Sequence, residues 1–135
     1  MTVCFCIDDG MGISFNSRRQ SKDKELIARL SAQADGKRIL IKEYSARLFE
    51  GTGADACVCG GFECAGERDF VFVECEDPTR YMERAERVIV YRWNRSYPSD
   101  TALTATPDKL GFELCGTYDF EGSSHERITE EIWKK

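Results

Sequence analysis

The segment Arg87-Val-Ile-Val-Tyr-Arg-Trp93 constrains this chain more than any other. Its β-branched and aromatic residues pack best on a pleated, half-buried surface, so it reads as a central strand. A second apolar run, Val3 to Ile7, stops at Asp8-Asp9-Gly10, as a buried strand entering a turn does. Between these strands lie segments of helical period. Leu26, Ile27, Leu30 and Ala34 share one helical face, with Ser17 and Gln20, or Ser21 alone, as the expected cap and Asp35-Gly36 as the stop. Arg38 to Ile41 reads as a further core strand, and Tyr44 to Phe49 as a short helix ending at Gly51. Ala56 to Cys59 and Phe70 to Glu74 read as short strands, and Pro78 as the first turn of a helix through Tyr81, Met82 and Ala85. Residues 94–110 read as a loop, and Phe112 to Phe120 as another strand. Ser123-x-x-Glu126 has the form of a capping box opening a last helix with Ile128 and Ile132 inside. This alternation predicts an α/β layered fold, one domain over 1–135, with a mostly parallel or mixed sheet flanked by helices.

Charge and cysteine content narrow the function classes. Residues 63–86 hold 8 acidic against 3 basic groups, which accounts for the whole net charge of -5. Such a chain repels phosphate backbones at long range, so nucleic acid is not the expected partner. Arg18, Arg19, Lys22 and Lys24 form the one dense basic patch, read either as a solvated face or as an anion contact. No apolar stretch approaches membrane-spanning length, and Met1 to Ile7 carries no basic leader, so the expected location is the cytoplasm. Seven cysteines, an odd number, fit reduced thiols there. Cys4 with Cys6 and Cys57 with Cys59 are spaced to share one face of a strand, where Cys behaves as a small apolar residue. Cys57, Cys59 and Cys64 come nearest to a metal-ligand set, but they lack zinc-knuckle spacing, and the chain has one histidine.

The polar motifs fall after strands. Asp8-Asp9 follows the first strand, Trp93 to Asp100 the central one, and Gly122 to His125 the last. If these strands are parallel, the loops meet at one sheet edge, where open α/β folds build ligand crevices. Asn16 to Ser21 joins them if residues 8–20 form one long loop, the expected arrangement; a hairpin at Gly10 sends the arginines elsewhere. The ligand-binding candidates are Asn16, Arg18, Arg19, Trp93, Asn94, Arg95, Ser123 and Ser124, which suit an anionic small molecule or an anionic partner. The catalytic candidates are His125, Asp8 and Asp9. In a hydrolase or phosphoryl-transfer reading, Asp8 or Asp9 holds a divalent cation, the arginines hold substrate charge and His125 acts as acid or base. No other cofactor is called for. Each candidate also has a plainer role: Asp-Gly turns, ion pairs with the acidic segment, and an aromatic core around Trp93. A third class, a regulatory or structural interaction protein, would use the acidic face of 63–86.

Asp8-Asp9, Phe15-Asn16-x-Arg18-Arg19-Gln20-Ser21-x-Asp23, Glu43-Tyr44-Ser45-Ala46, Trp93-Asn94-Arg95-x-Tyr97-Pro98-x-Asp100 and Phe120-x-Gly122-Ser123-Ser124-His125-Glu126 cover much of the chain. In these blocks it resembles a family of short, uncharacterised bacterial proteins, some of which bear the label ribonuclease Z. That label implies a zinc-dependent tRNA 3′ nuclease of the metallo-β-lactamase fold. Such chemistry needs a His-x-His-x-Asp-His run, and a chain with one histidine does not hold its two zinc ions. The resemblance therefore implies no activity for these residues.

Overall fold

The computed structural model describes residues 1–135, and its centre is the pair of strands that the apolar runs predict. β1 (Thr2–Ile7) and β7 (Arg87–Arg92) lie side by side and parallel, in register from Thr2 opposite Arg87 to Ile7 opposite Arg92. With β4 (Ile39–Ile41), β5 (Ala56–Val58), β6 (Phe70–Phe72), β9 (Glu113–Phe120) and β10 (Ile128–Lys134) they form a seven-stranded mixed sheet of order β5-β4-β6-β1-β7-β10-β9. The first five strands in that order are parallel, and β10 and β9 add antiparallel at one end.

Each face of the sheet has its own cover. On one face, Cys4, Ile39, Ile41, Phe72 and Ile89 meet Leu26, Leu30 and Ala34 of α1 (Lys24–Ala34), together with Phe49 from the 3-10 turn at Glu43–Phe49. On the other, Val3, Phe5, Val71, Val88 and Val90 pack against Phe62, Phe112 and the short helix α2 (Thr79–Met82). That second face also receives Ile13 and Leu103, from or beside a small sheet of β2 (Gly12–Phe15), β3 (Arg18–Arg19) and β8 (Thr101–Ala102). No helix is long and apolar enough to cross a membrane.

Three expectations require correction. Residues after Ser123 form no helix: Ile128–Lys134 is β10, a hairpin partner of β9 and a ladder partner of β7. Ile128 and Ile132 are four apart, a spacing that fits a helical face and an alternating strand equally. The free backbone edge of β7 decided for the strand. Residues 8–20 are not one long loop. Phe15 pairs with Arg18 across a two-residue turn in which Asn16 and Ser17 take φ 52 and 59, the paired positive values that such hairpins need. The α1 cap is Asp23, whose Oδ1 accepts from the N–H groups of Glu25 and Leu26, rather than Ser17 or Ser21. The stop at Asp35-Gly36 is as expected, with both residues left-handed.

All seven cysteines are free. Cys4 and Cys6 face the α1 side and Cys57 and Cys59 the opposite side, each pair sharing a face as strand alternation requires. Of the seven, only Cys4 is fully buried, and Cys64 and Cys115 are exposed, so the thiols are less buried than strand placement alone suggests. In the native protein we expect Cys64 and Cys115 to react with an aromatic disulfide reagent at once, and Cys4 only on unfolding, since burial pushes its thiol far above the usual range. Ile89→Ala, at a fully buried site, is expected to lower unfolding free energy by about 2–5 kcal/mol in denaturant titration.

Candidate functional site

The parallel strands place their carboxyl ends on one edge, and the loops that leave it are stitched together by hydrogen bonds. The Asp9 N–H donates to the Arg95 carbonyl (2.9 Å), the Trp93 N–H to that of Ile7 (3.0 Å), and the Lys24 N–H to Ser123 Oγ (2.9 Å). The loops around 8–21, 94–100 and 122–126 therefore converge, although a hairpin rather than a long loop brings in the first.

Asp8 is the organiser of the turn after β1. Its buried carboxylate accepts from the N–H groups of Gly10 (2.9 Å), Gly12 (2.7 Å) and Tyr97 (3.0 Å) and from Gln20 Nε2 (3.1 Å). Burial opposes its ionisation, but these donors prevail and hold its carboxyl below the usual range. Asp9 is exposed beside it. No group of three or more His, Cys, Asp or Glu side chains is arranged to hold a metal ion.

The buried His125 belongs to a second cluster, with buried Asp23 and Trp93, half-buried Tyr97 and exposed Ser124. Its Nε2 is 2.8 Å from Tyr97 Oη, and its Nδ1 is 2.9 Å from Ser124 Oγ and 3.4 Å from Asp23 Oδ2. Trp93 stacks on the imidazole at 4.6 Å. Ser124 has one hydroxyl proton, and its shortest acceptor is the Lys22 carbonyl at 2.7 Å. That assigns His125 Nδ1 as the donor toward Ser124 and Asp23 and leaves Nε2 to accept from Tyr97. His125 sits in a bend before β10, not on the first turn of a helix that the capping box predicted.

Asp23, which lies within a motif block of the sequence but not among its candidate site residues, makes more side-chain hydrogen bonds than Asp8. Besides capping α1, it accepts from the N–H groups of Ser123 (3.0 Å) and Ser124 (2.7 Å). Gly122 packs so closely on its carboxylate that a Cβ there would collide with Oδ2, which is why that turn needs glycine. Burial alone would raise the Asp23 carboxyl; the surrounding donors instead drive it far below the usual range. The available signal was its position, one residue before the amphipathic Lys-Glu-Leu-Ile run.

The two arginines line one cavity but differ in their partners. Arg19 is bound bidentately to Glu74, through Nε and Nη2 at 2.8 Å each, and its guanidinium lies 4.3 Å from the Tyr44 ring centroid. Arg18 is exposed and makes no ion pair. It stands in a cavity of about 560 Å³ that Phe15, Asn16, Arg19, Gln20 and Tyr97 also line. Asn94 is turned inward, donating from Nδ2 to the Arg127 carbonyl (3.1 Å) and Thr129 Oγ1 (2.9 Å), and Arg95 is exposed on the adjoining loop. Ser123 and Ser124 border a larger groove of about 870 Å³ beside α1.

A scan against protein-family models and a search of curated proteins found no match to the chain.

Two outcomes follow from Asp23. Asp23→Ala removes the helix cap and strands the Ser123 and Ser124 N–H groups, so it is expected to cost at least about 2 kcal/mol in chemical denaturation. Because the folded carboxyl lies below its unfolded value of about 3.9, its contribution is complete above about pH 4 and is lost as the pH falls toward the folded value. Asp23→Asn is therefore expected to show a shallower loss of stability with acid than the wild type.

Proposed function

We propose that this protein binds an anionic small molecule at the carboxyl edge of its parallel strands, in the cavity that contains Arg18. The carrying observation is a guanidinium with no carboxylate partner, in a cavity bounded by the β2–β3 hairpin and the Tyr97-Pro98 loop. Arg18 supplies charge-assisted hydrogen bonds to a phosphate or carboxylate. Gln20 Oε1 is buried without a partner and offers an acceptor to a ligand hydroxyl. Phe15, 45% exposed, and Pro98 add apolar wall. A hydroxylated anion such as a sugar phosphate combines these features.

Binding is favoured over catalysis because the groups that a hydrolase would use are spent on structure. Asp8 is saturated by four donors, Arg19 is held by Glu74, and His125 is buried under Trp93. The interaction reading is weakened in the same way. Within the acidic segment, Asp69 pairs with Arg38, Glu74 with Arg19, Glu76 with Lys42 and Arg80, and Glu86 with the amino terminus. Free thiols favour a reducing compartment such as the cytoplasm.

The test is a binding screen of sugar phosphates, nucleotides and dicarboxylates by thermal shift, followed by calorimetry. Arg18→Ala is expected to weaken a hit by about 10-fold to 100-fold while changing stability by no more than about 0.5 kcal/mol. Arg19→Ala is expected to lower stability through the stranded Glu74. Hits that bind Arg18→Ala as well as the wild type would refute the assignment.

A further inference from the structure

A second cavity lies away from Arg18. It is a groove of about 870 Å³ between α1 and the segment 47–55, and nothing in the anion-site reading uses it. Its floor is apolar or small, with Ile27, Ala28 and Ala32 on α1 and Leu48 and Ala54 opposite. Residues of α1 from Lys24 to Ala34 line this trough, a run of about 15 Å along the helix.

Charge is distributed unevenly along it. Lys22 and Lys24 stand where α1 begins, at the carboxyl edge of the sheet, and Arg47 stands on the facing wall. None of the three makes an ion pair, in a chain whose net charge is -5. Ser123, at the same end, accepts from the Lys24 N–H through Oγ and keeps its own proton free to donate. Asp23 is also at this end, but its carboxylate is consumed by the cap and by the 123–125 turn. The other end, before β4 and β5, holds Lys37 and Asp55, with Glu50 on the wall between.

We propose that this groove binds a single-chain amphiphile, its anionic head among Lys22, Lys24, Arg47 and Ser123 and its apolar tail along Ile27, Ala28, Leu48 and Ala54. A cationic end continuous with an apolar floor matches both halves of such a molecule. A wholly polar anion leaves the floor wet, and a neutral chain leaves the three cations unanswered. The head meets side chains rather than the helix amides, since Asp23 and Ser123 already take the N–H groups of Lys24, Glu25 and Leu26.

The experiment is calorimetric titration of the full chain with decanoate, decyl phosphate, decanol and decyltrimethylammonium, each below its micelle concentration. Decanoate, decyl phosphate or both are expected to bind, and comparing the two tells a carboxylate head from a phosphate one. Decanol and the cation are expected to bind at least about 10-fold more weakly, the loss of a charge-assisted contact. Lys24→Ala and Arg47→Ala should each weaken the anions by roughly 3-fold to 10-fold, with the effect shrinking as salt is added. Ala28→Trp fills the trough from an exposed helix position and should abolish binding while the melting temperature stays near that of the wild type. Arg18→Ala should leave amphiphile binding unchanged, which separates this site from the one above. Failure of both anions to bind, equal binding of decanol, or undiminished binding to folded Ala28→Trp would each overturn the proposal.

Discussion

A single buried carboxylate, Asp23, holds the working edge of this fold together. It caps α1, closes the 122–125 turn through the Ser123 and Ser124 N–H groups, and fixes the buried His125 through Ser124. His125 in turn reaches Tyr97 and lies flat on Trp93, just beyond β7. One side chain thus couples the helix on one face to the antiparallel end of the sheet and to the loop after its central strand. A carboxylate tolerates such burial only when nearly every lone pair is answered, and here four backbone N–H groups and the His125 Nδ1–H answer it.

The same principle governs the acidic segment. Its excess of carboxylates looks in sequence like an exposed face for a partner, yet several point at cations brought from elsewhere. The Arg19–Glu74 fork ties the β2–β3 hairpin to the end of β6, and Ser45 adds a further donor to Glu74 at 2.7 Å. Pairing of this kind leaves the remaining cations conspicuous. Arg18 at the hairpin, and Lys22, Lys24, Lys37 and Arg47 beside α1, are cations without an ion pair that line the two cavities. Both binding proposals rest on that residue of unbalanced charge.

The cavities lie on either side of the Asp23 cluster. Tyr97 lines one and Asp23 and Ser124 line the other, with His125 hydrogen-bonded to Tyr97 and Ser124 between them. The cluster is therefore a shared wall. This accounts for a buried histidine on a ligand-facing edge without giving it a chemical step: its two nitrogens are occupied in keeping the wall rigid.

The amino-acid sequence by itself determined the strands at the centre, the amphipathic face of α1 and the pairing of alternate cysteines on a face. In each, a local period of two or 3.6 residues matches a long apolar run, and short-range sterics suffice to read it. It also placed Asp8 and Trp93 at the ends of strands that share one edge. Tertiary structure decided the rest, wherever two local readings were of similar energy. Ile128 to Lys134 became a strand because β7 offered an unpaired backbone edge. Arg18 and Arg19, adjacent and alike in sequence and both lining one cavity, differ in partner because successive residues of a strand point to opposite sides, and only Arg19 met Glu74. Asp23 became central because the turn at Gly122, about a hundred residues away in the chain, closes on it. Contacts of that range leave no local signature, since what selects them is the burial of charge with its donors, and burial exists only once the chain has folded.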